Sequence, residues 1–80
     1  MTDRILRFPE VKKLSGMSRS TIYLRITEGL FPRPIQLGTR MVGWRESEVA
    51  TMNAARVRGA AESEIRELVV RLQSQRKDAA

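Results

Sequence analysis

Ser18, Arg19, Ser20, Thr21 and Tyr23 gather three aliphatic hydroxyls, a guanidinium and a phenol into six consecutive positions. Groups of this kind hydrogen-bond phosphate oxygens, and an arginine fork also matches the two acceptors on a guanine edge. Bond-breaking chemistry suits them less. The chain has no histidine and no cysteine, which removes the commonest general base, the usual zinc ligands and any thiol nucleophile. Without a histidine or a plainly placed lysine, no serine or threonine has an activating partner. Neither a metal-ligand cluster nor a glycine-rich phosphate loop is visible. The reading is a non-enzyme, with no catalytic residues, no metal and no cofactor, that holds an anionic partner.

The net charge of +6 is unevenly distributed. Residues 1–45 carry nine Arg or Lys against three acids, whereas residues 46–80 carry six of each sign, so the whole excess lies in the first half. A half that faces a polyanion and a half that supports it would look like this. So would a solvated basic surface, and position along the chain has to decide. A chain of 80 residues makes one domain with a small core, hiding only about 60% of the surface its unfolded form exposes. The N-terminal run MTDRILRFPEV is too polar for a signal peptide, and no stretch approaches the roughly 20 apolar residues that span a bilayer. A cytoplasmic location with no membrane partner is expected.

Phe8-Pro9-Glu10 reads as a helix start, because proline is tolerated where its missing N–H would be unpaired and an acid there favours the helix dipole. That helix runs from about Pro9 to Ser15, with Val11 and Leu14 on one face, and Gly16 ends it. Ser18 is a suitable N-cap for a second helix, which ends at Gly29 because Pro32 and Pro34 forbid its continuation. A short helix, a tight glycine turn and a capped second helix make the helix-turn-helix pattern. At about 100° per residue, Arg19, Ser20, Tyr23 and Thr27 share one face of the second helix and Ile22 and Ile26 another. An ordinary amphipathic helix with a solvent side shows the same division.

Ile35-Gln36-Leu37 alternates apolar and polar, Gly38-Thr39-Arg40 supplies a turn, and Met41 to Trp44 is strand-like, which gives a hairpin with Arg40 at its tip. Trp44 is expected to anchor the core. A third helix begins near Glu46, with Val49, Met52 and Ala55 inward. After Gly59 a last helix runs from about Ala60 to Arg76, with Ala61, Ile65, Leu68, Val69 and Leu72 in a stripe. That stripe either folds back on the domain or pairs with a second subunit, as a homodimer or cooperative array. Residues 77–80 are expected to fray. The expected architecture is mainly α with a small β-hairpin: a winged helix-turn-helix over residues 1–58 and a C-terminal helix, for docking or dimerisation, over 59–80.

Residues 6–49, LRFPEVKKLSGMSRSTIYLRITEGLFPRPIQLGTRMVGWRESEV, resemble the AlpA family of phage-type regulators, relatives of excisionases and of the MerR-type winged helix. The likeness rests on PEV near the start, SGMSRSTIY across the turn, EGLFPRPIQLG into the hairpin and GWRESEV before the third helix, in that order and spacing. It implies a DNA-binding regulator of a prophage or other integrated element. Such a protein is either a transcriptional activator, often of an integrase gene, or an excision factor that bends DNA. Double-stranded DNA would be its partner, with a recombinase or RNA polymerase beyond it. Position by position, the likeness puts Ser18, Arg19, Ser20, Thr21 and Tyr23 on the recognition helix and Thr39 and Arg40 on the wing. Leu24-Arg25 departs from the relatives' order of a basic and then an apolar residue, which leaves Arg25 either facing DNA or lying along the core edge. Met52 stands where an aromatic is common, and the residues after Gly59 lie outside the likeness.

Arg19, at the N-terminal end of the second helix, is the expected base reader. Ser18, Ser20 and Thr21 suit phosphates, and Tyr23 either bonds a phosphate or supports the turn. Lys12, Lys13, Arg33 and Arg40 would flank the groove. The competing reading is a protein-interaction adaptor or antitoxin that binds through the C-terminal helix, with the basic half serving only solubility.

Overall fold

A computed structural model describes residues 3–78. Its elements run β1 (Ile5–Arg7), α1 (Phe8–Ser15), α2 (Arg19–Thr27), β2 (Ile35–Gly38), β3 (Met41–Arg45), α3 (Glu46–Arg58) and α4 (Glu62–Gln75), with a 3-10 turn over Arg76–Asp78. The described chain is therefore mainly helical with one small antiparallel sheet.

Local capping sets most of the boundaries. α1 starts at Phe8, one residue ahead of expectation, because Glu10 turns its Oε1 back to accept the Arg7 amide at 3.3 Å, half of a capping box. Gly16 closes the helix at φ 73°, a left-handed conformation that costs glycine nothing. At the start of α3, Glu48 Oε1 accepts the Arg45 amide at 3.2 Å. Asp3 reaches the same helix end from 44 residues away, accepting the Ser47 amide at 3.0 Å and the Ser47 hydroxyl at 2.6 Å. Arg45 Nε donates to the same carboxylate at 2.7 Å.

The sheet has the order β1-β3-β2. β2 and β3 form the expected hairpin, with Ile35 opposite Gly43, Gln36 opposite Val42 and an irregularity between Gln36 and Gly38. β1 is a strand that the sequence pattern does not announce. Three residues are too few to show a period, and only pairing with β3, Leu6 opposite Trp44, makes them one. Leu6 points inward while its neighbours Ile5 and Arg7 are exposed.

Trp44 and Met52, both fully buried, sit among Phe8, Ile22, Phe31 and Val49. α4 folds back on this body: Ile65, Val69 and Leu72 are buried in the same cluster, with Leu68 partly covered. Ala61, expected in the stripe, is instead the exposed N-cap of α4, which starts at Glu62 rather than Ala60. Lys77 and Asp78, expected to fray, continue the 3-10 turn. That turn is tied down by Arg76, whose guanidinium meets the buried Glu48 carboxylate at 2.6 and 2.8 Å. Residues 79–80 of the same expectation lie outside the described residues. Among the described residues, no helix is long and apolar enough to cross a membrane.

Candidate nucleic-acid interface

The turn Gly16-Met17 and the cap at Ser18 place the N-terminus of α2. Ser18 accepts the Thr21 amide at 3.3 Å and donates its hydroxyl to Thr21 Oγ1 at 2.9 Å, while Ser20 Oγ lies 3.3 Å from Ser18 Oγ. Three hydroxyls thus converge on a helix N-terminus, where free amides and the helix dipole favour negative charge. Ser18 and Ser20 are exposed and Thr21 is half-buried.

Arg19 is the best-placed cation of this group. Its guanidinium carbon lies 4.8 Å above the Phe8 ring and 5.7 Å from the Tyr23 ring, within range of a cation–π attraction. Phe8 in turn packs against Tyr23 at 5.5 Å and edge-on against Trp44 at 5.3 Å. Trp44 meets Phe31 at 5.9 Å and donates its indole N–H to the Pro32 carbonyl at 2.7 Å. An exposed guanidinium therefore rests on an aromatic stack rooted in the core, which restricts its rotamers before any partner arrives. Tyr23 serves this stack while remaining 40% exposed. The role of Phe8 as a platform lay beyond sequence reasoning, because nothing in the spacing of Phe8 and Arg19 says that α1 and α2 meet there.

The Leu24-Arg25 pair divides between two environments. Leu24 is 56% exposed, on the same side of α2 as Ser20. Arg25 turns toward the body, its Nη1 3.7 Å from Glu28 and its buried Nε without a hydrogen-bond partner. Burial, and then the charge of Arg25 nearby, push the Arg56 guanidinium below its ordinary pKa.

The other expected contacts are spread over the molecule. Lys12 and Lys13 lie exposed on α1, Arg33 lies exposed in the linker between α2 and β2, and Thr39 and Arg40 form the exposed turn of the hairpin. Among the described residues none of these shares a hydrogen bond between its side chain and the α2 cluster. Arg4, Arg25 and Arg45 of the first half and Arg58, Arg66 and Arg76 of the second are paired with acids, whereas Arg7, Lys12, Lys13, Arg19, Arg33 and Arg40 of the first half have no acid partner among the described residues. Arg19 is thus a cation without an acid partner at the helix end that carries the hydroxyl cluster.

A hydroxyl-capped, cation-bearing helix beside a small antiparallel sheet, in a mainly helical protein, is the class these features define. The chain belongs to the family described as prophage CP4-57 regulatory protein (AlpA), whose family model matches residues 4–57. It is 49% identical over 57 residues to the uncharacterized protein ORF88 of Enterobacteria phage P4, covering 71% of this chain and 65% of the phage protein. It is 40% identical over 52 residues to the DNA-binding transcriptional activator AlpA of Escherichia coli (strain K12), covering 58% of this chain and 74% of that protein. The chain therefore spans just under two thirds of the phage relative. No solved structure matches it. The family match ends within α3, so α4 lies wholly beyond it.

Proposed function

We propose that this protein is a sequence-specific, double-stranded-DNA-binding regulator of a prophage or integrative element, in which α1, the glycine turn and α2 form a helix-turn-helix and the β2–β3 hairpin is its wing. The observation that carries this reading is Arg19, exposed and without an acid partner, held 4.8 Å over Phe8 beside the Ser18, Ser20 and Thr21 hydroxyls. A similar protein named as a DNA-binding transcriptional activator supports it.

On this reading α2 enters the major groove and Arg19 pairs with the guanine acceptors. Ser18, Ser20, Thr21 and Tyr23 bond phosphates around the helix N-terminus. Leu24, facing outward, suits a thymine methyl, and Arg25 steadies the edge of the helix nearer the body. Lys12, Lys13, Arg33 and the wing residues Thr39 and Arg40 hold the flanking backbone. The rival reading, an adaptor or antitoxin acting through the C-terminal helix, has less support because Ile65, Val69 and Leu72 are buried within their own chain.

The test is a duplex titration at several salt concentrations, using random DNA and the DNA flanking the protein's own gene. Four phosphate contacts give a slope of log K against log salt of about −3.6. Arg19→Ala is expected to cost about 1–3 kcal/mol on the preferred site and to relax preference at one base pair. A salt-independent affinity, or no affinity for any duplex, would end the proposal. Protection mapping then separates the two roles. Footprints beside a promoter indicate an activator acting with RNA polymerase, and footprints inside an attachment site indicate an excision factor acting with a recombinase.

A further inference from the structure

The linker from Glu28 to Pro34 joins α2 to the hairpin, and its backbone is gripped by side chains from distant elements. Arg66 Nε donates to the Glu28 carbonyl at 3.0 Å, Arg56 Nη2 to the Leu30 carbonyl at 3.1 Å, and the Trp44 indole to the Pro32 carbonyl at 2.7 Å. At Arg33 both backbone groups are held: its amide donates to Gln73 Oε1 at 2.9 Å and its carbonyl accepts Arg76 Nη2 at 2.8 Å. Three of these five bonds come from α4 and the turn that follows it. Pro32 and Pro34 lack an N–H and the segment belongs to no helix or strand, so side chains supply the partners that regular structure would have given.

We propose that α4 is a positioning brace: Arg66 and Gln73 fix the path of the linker and hence the setting of α2 against the hairpin, so that α4 governs discrimination between DNA sequences rather than bulk attraction to DNA. The inference rests on the DNA-binding reading above. Neither residue is offered as a DNA contact. Arg66 is spent on the Glu28 carbonyl and on Glu62, 3.6 Å away, and Gln73 on the Arg33 amide. A recognition helix set at the wrong angle still meets phosphates, whose attraction is not directional in sequence, but its base contacts fail.

The experiment compares the parent protein, R66A/Q73A and R66K/Q73E, which keeps a donor at one position and an acceptor at the other. Amide hydrogen exchange at Arg33 is read without DNA, and affinity is read on the preferred and on random duplexes. R66A/Q73A is expected to speed exchange at the Arg33 amide and to lose about tenfold affinity for the preferred site, the combined effect of two hydrogen bonds each worth several-fold. Its affinity for random duplex and its salt slope stay those of the parent, and R66K/Q73E restores both properties. Unchanged exchange at Arg33, or equal loss on preferred and random duplexes, overturns the brace. Should R66A/Q73A fail to melt cooperatively, Gln73→Ala alone deletes one bond and carries the same two readouts. A parent protein that binds no duplex refutes the DNA-binding function itself, a result distinguishable because the exchange arm uses no DNA.

Discussion

Gly43 shows how one missing side chain shapes the sheet. A Cβ built there would lie 2.8 Å from Ile5 Cγ2, 2.8 Å from the Leu6 carbonyl oxygen and 3.0 Å from Leu37 Cδ1. The two apolar side chains could swing aside, but Leu6 O belongs to the backbone of the paired strand β1 and cannot yield without opening the ladder. Gly43→Ala is therefore expected to destabilise the fold by about 1–3 kcal/mol, the usual range for overpacking, read as a lower urea midpoint at unchanged slope. Sequence alone presents this glycine as a weak point in a strand. Its use, letting β1 and the Leu37 side chain close over β3, becomes visible only once β1 is in place.

At the scale of elements, α3 depends on acids that cap it from both near and far. Partial burial raises the pKa of Asp3, but the hydrogen bonds from the Ser47 hydroxyl and amide, then the bond and charge of Arg45, outweigh it and leave the carboxyl below its ordinary 3.8. A carboxyl that binds its proton less readily in the folded chain than in the unfolded one contributes stability above the unfolded value, and loses it as pH falls through the folded value. Asp3→Asn is thus expected to lower the melting temperature at neutral pH. The gap from the parent protein should start to narrow as pH falls below about 3.8 and close only below the lower value of the folded carboxyl, where the parent loses the same charge. A gap that persisted undiminished in acid would show that the cap does not depend on ionisation.

Across the whole molecule, the Arg76–Glu48 pair joins the end of α4 to the start of α3, with Glu48 only 1% exposed. Removing one partner of a buried pair strands a charge and costs about 3–5 kcal/mol, a large part of the roughly 5–15 kcal/mol typical of a domain. Arg76→Met is expected to show that loss in chemical denaturation. E48Q/R76M should recover much of it, because the amide carries no charge and its oxygen still accepts the Arg45 N–H. The longest dimension, 33 Å, is about one turn of B-DNA. Under the proposed function one copy would cover a single half-site, and useful specificity calls for two or more copies on adjacent sites. Footprints from two copies on one face of the duplex would then repeat at about 10 base pairs.

Features that depend on a few neighbouring residues were legible in the order of amino acids. Ser18 capping α2, Gly16 and Gly59 closing α1 and α3, the prolines after Gly29, and the alternation leading into the hairpin placed these elements to within a residue or two. The same order also marked the hydroxyl and guanidinium cluster at the start of α2 and the family to which the chain belongs. The rest emerged with the folded chain, because each remaining feature joins residues too far apart for local pattern to pair them. β1 exists through Leu6 facing Trp44. Arg19 is steadied by a ring on another helix. The stripe on α4 is covered by its own chain, and the linker is held by Gln73 from 40 residues away. Capping and turn preferences act over one helical turn, whereas burial and buried hydrogen bonds are settled by whichever surfaces meet when the chain closes on itself.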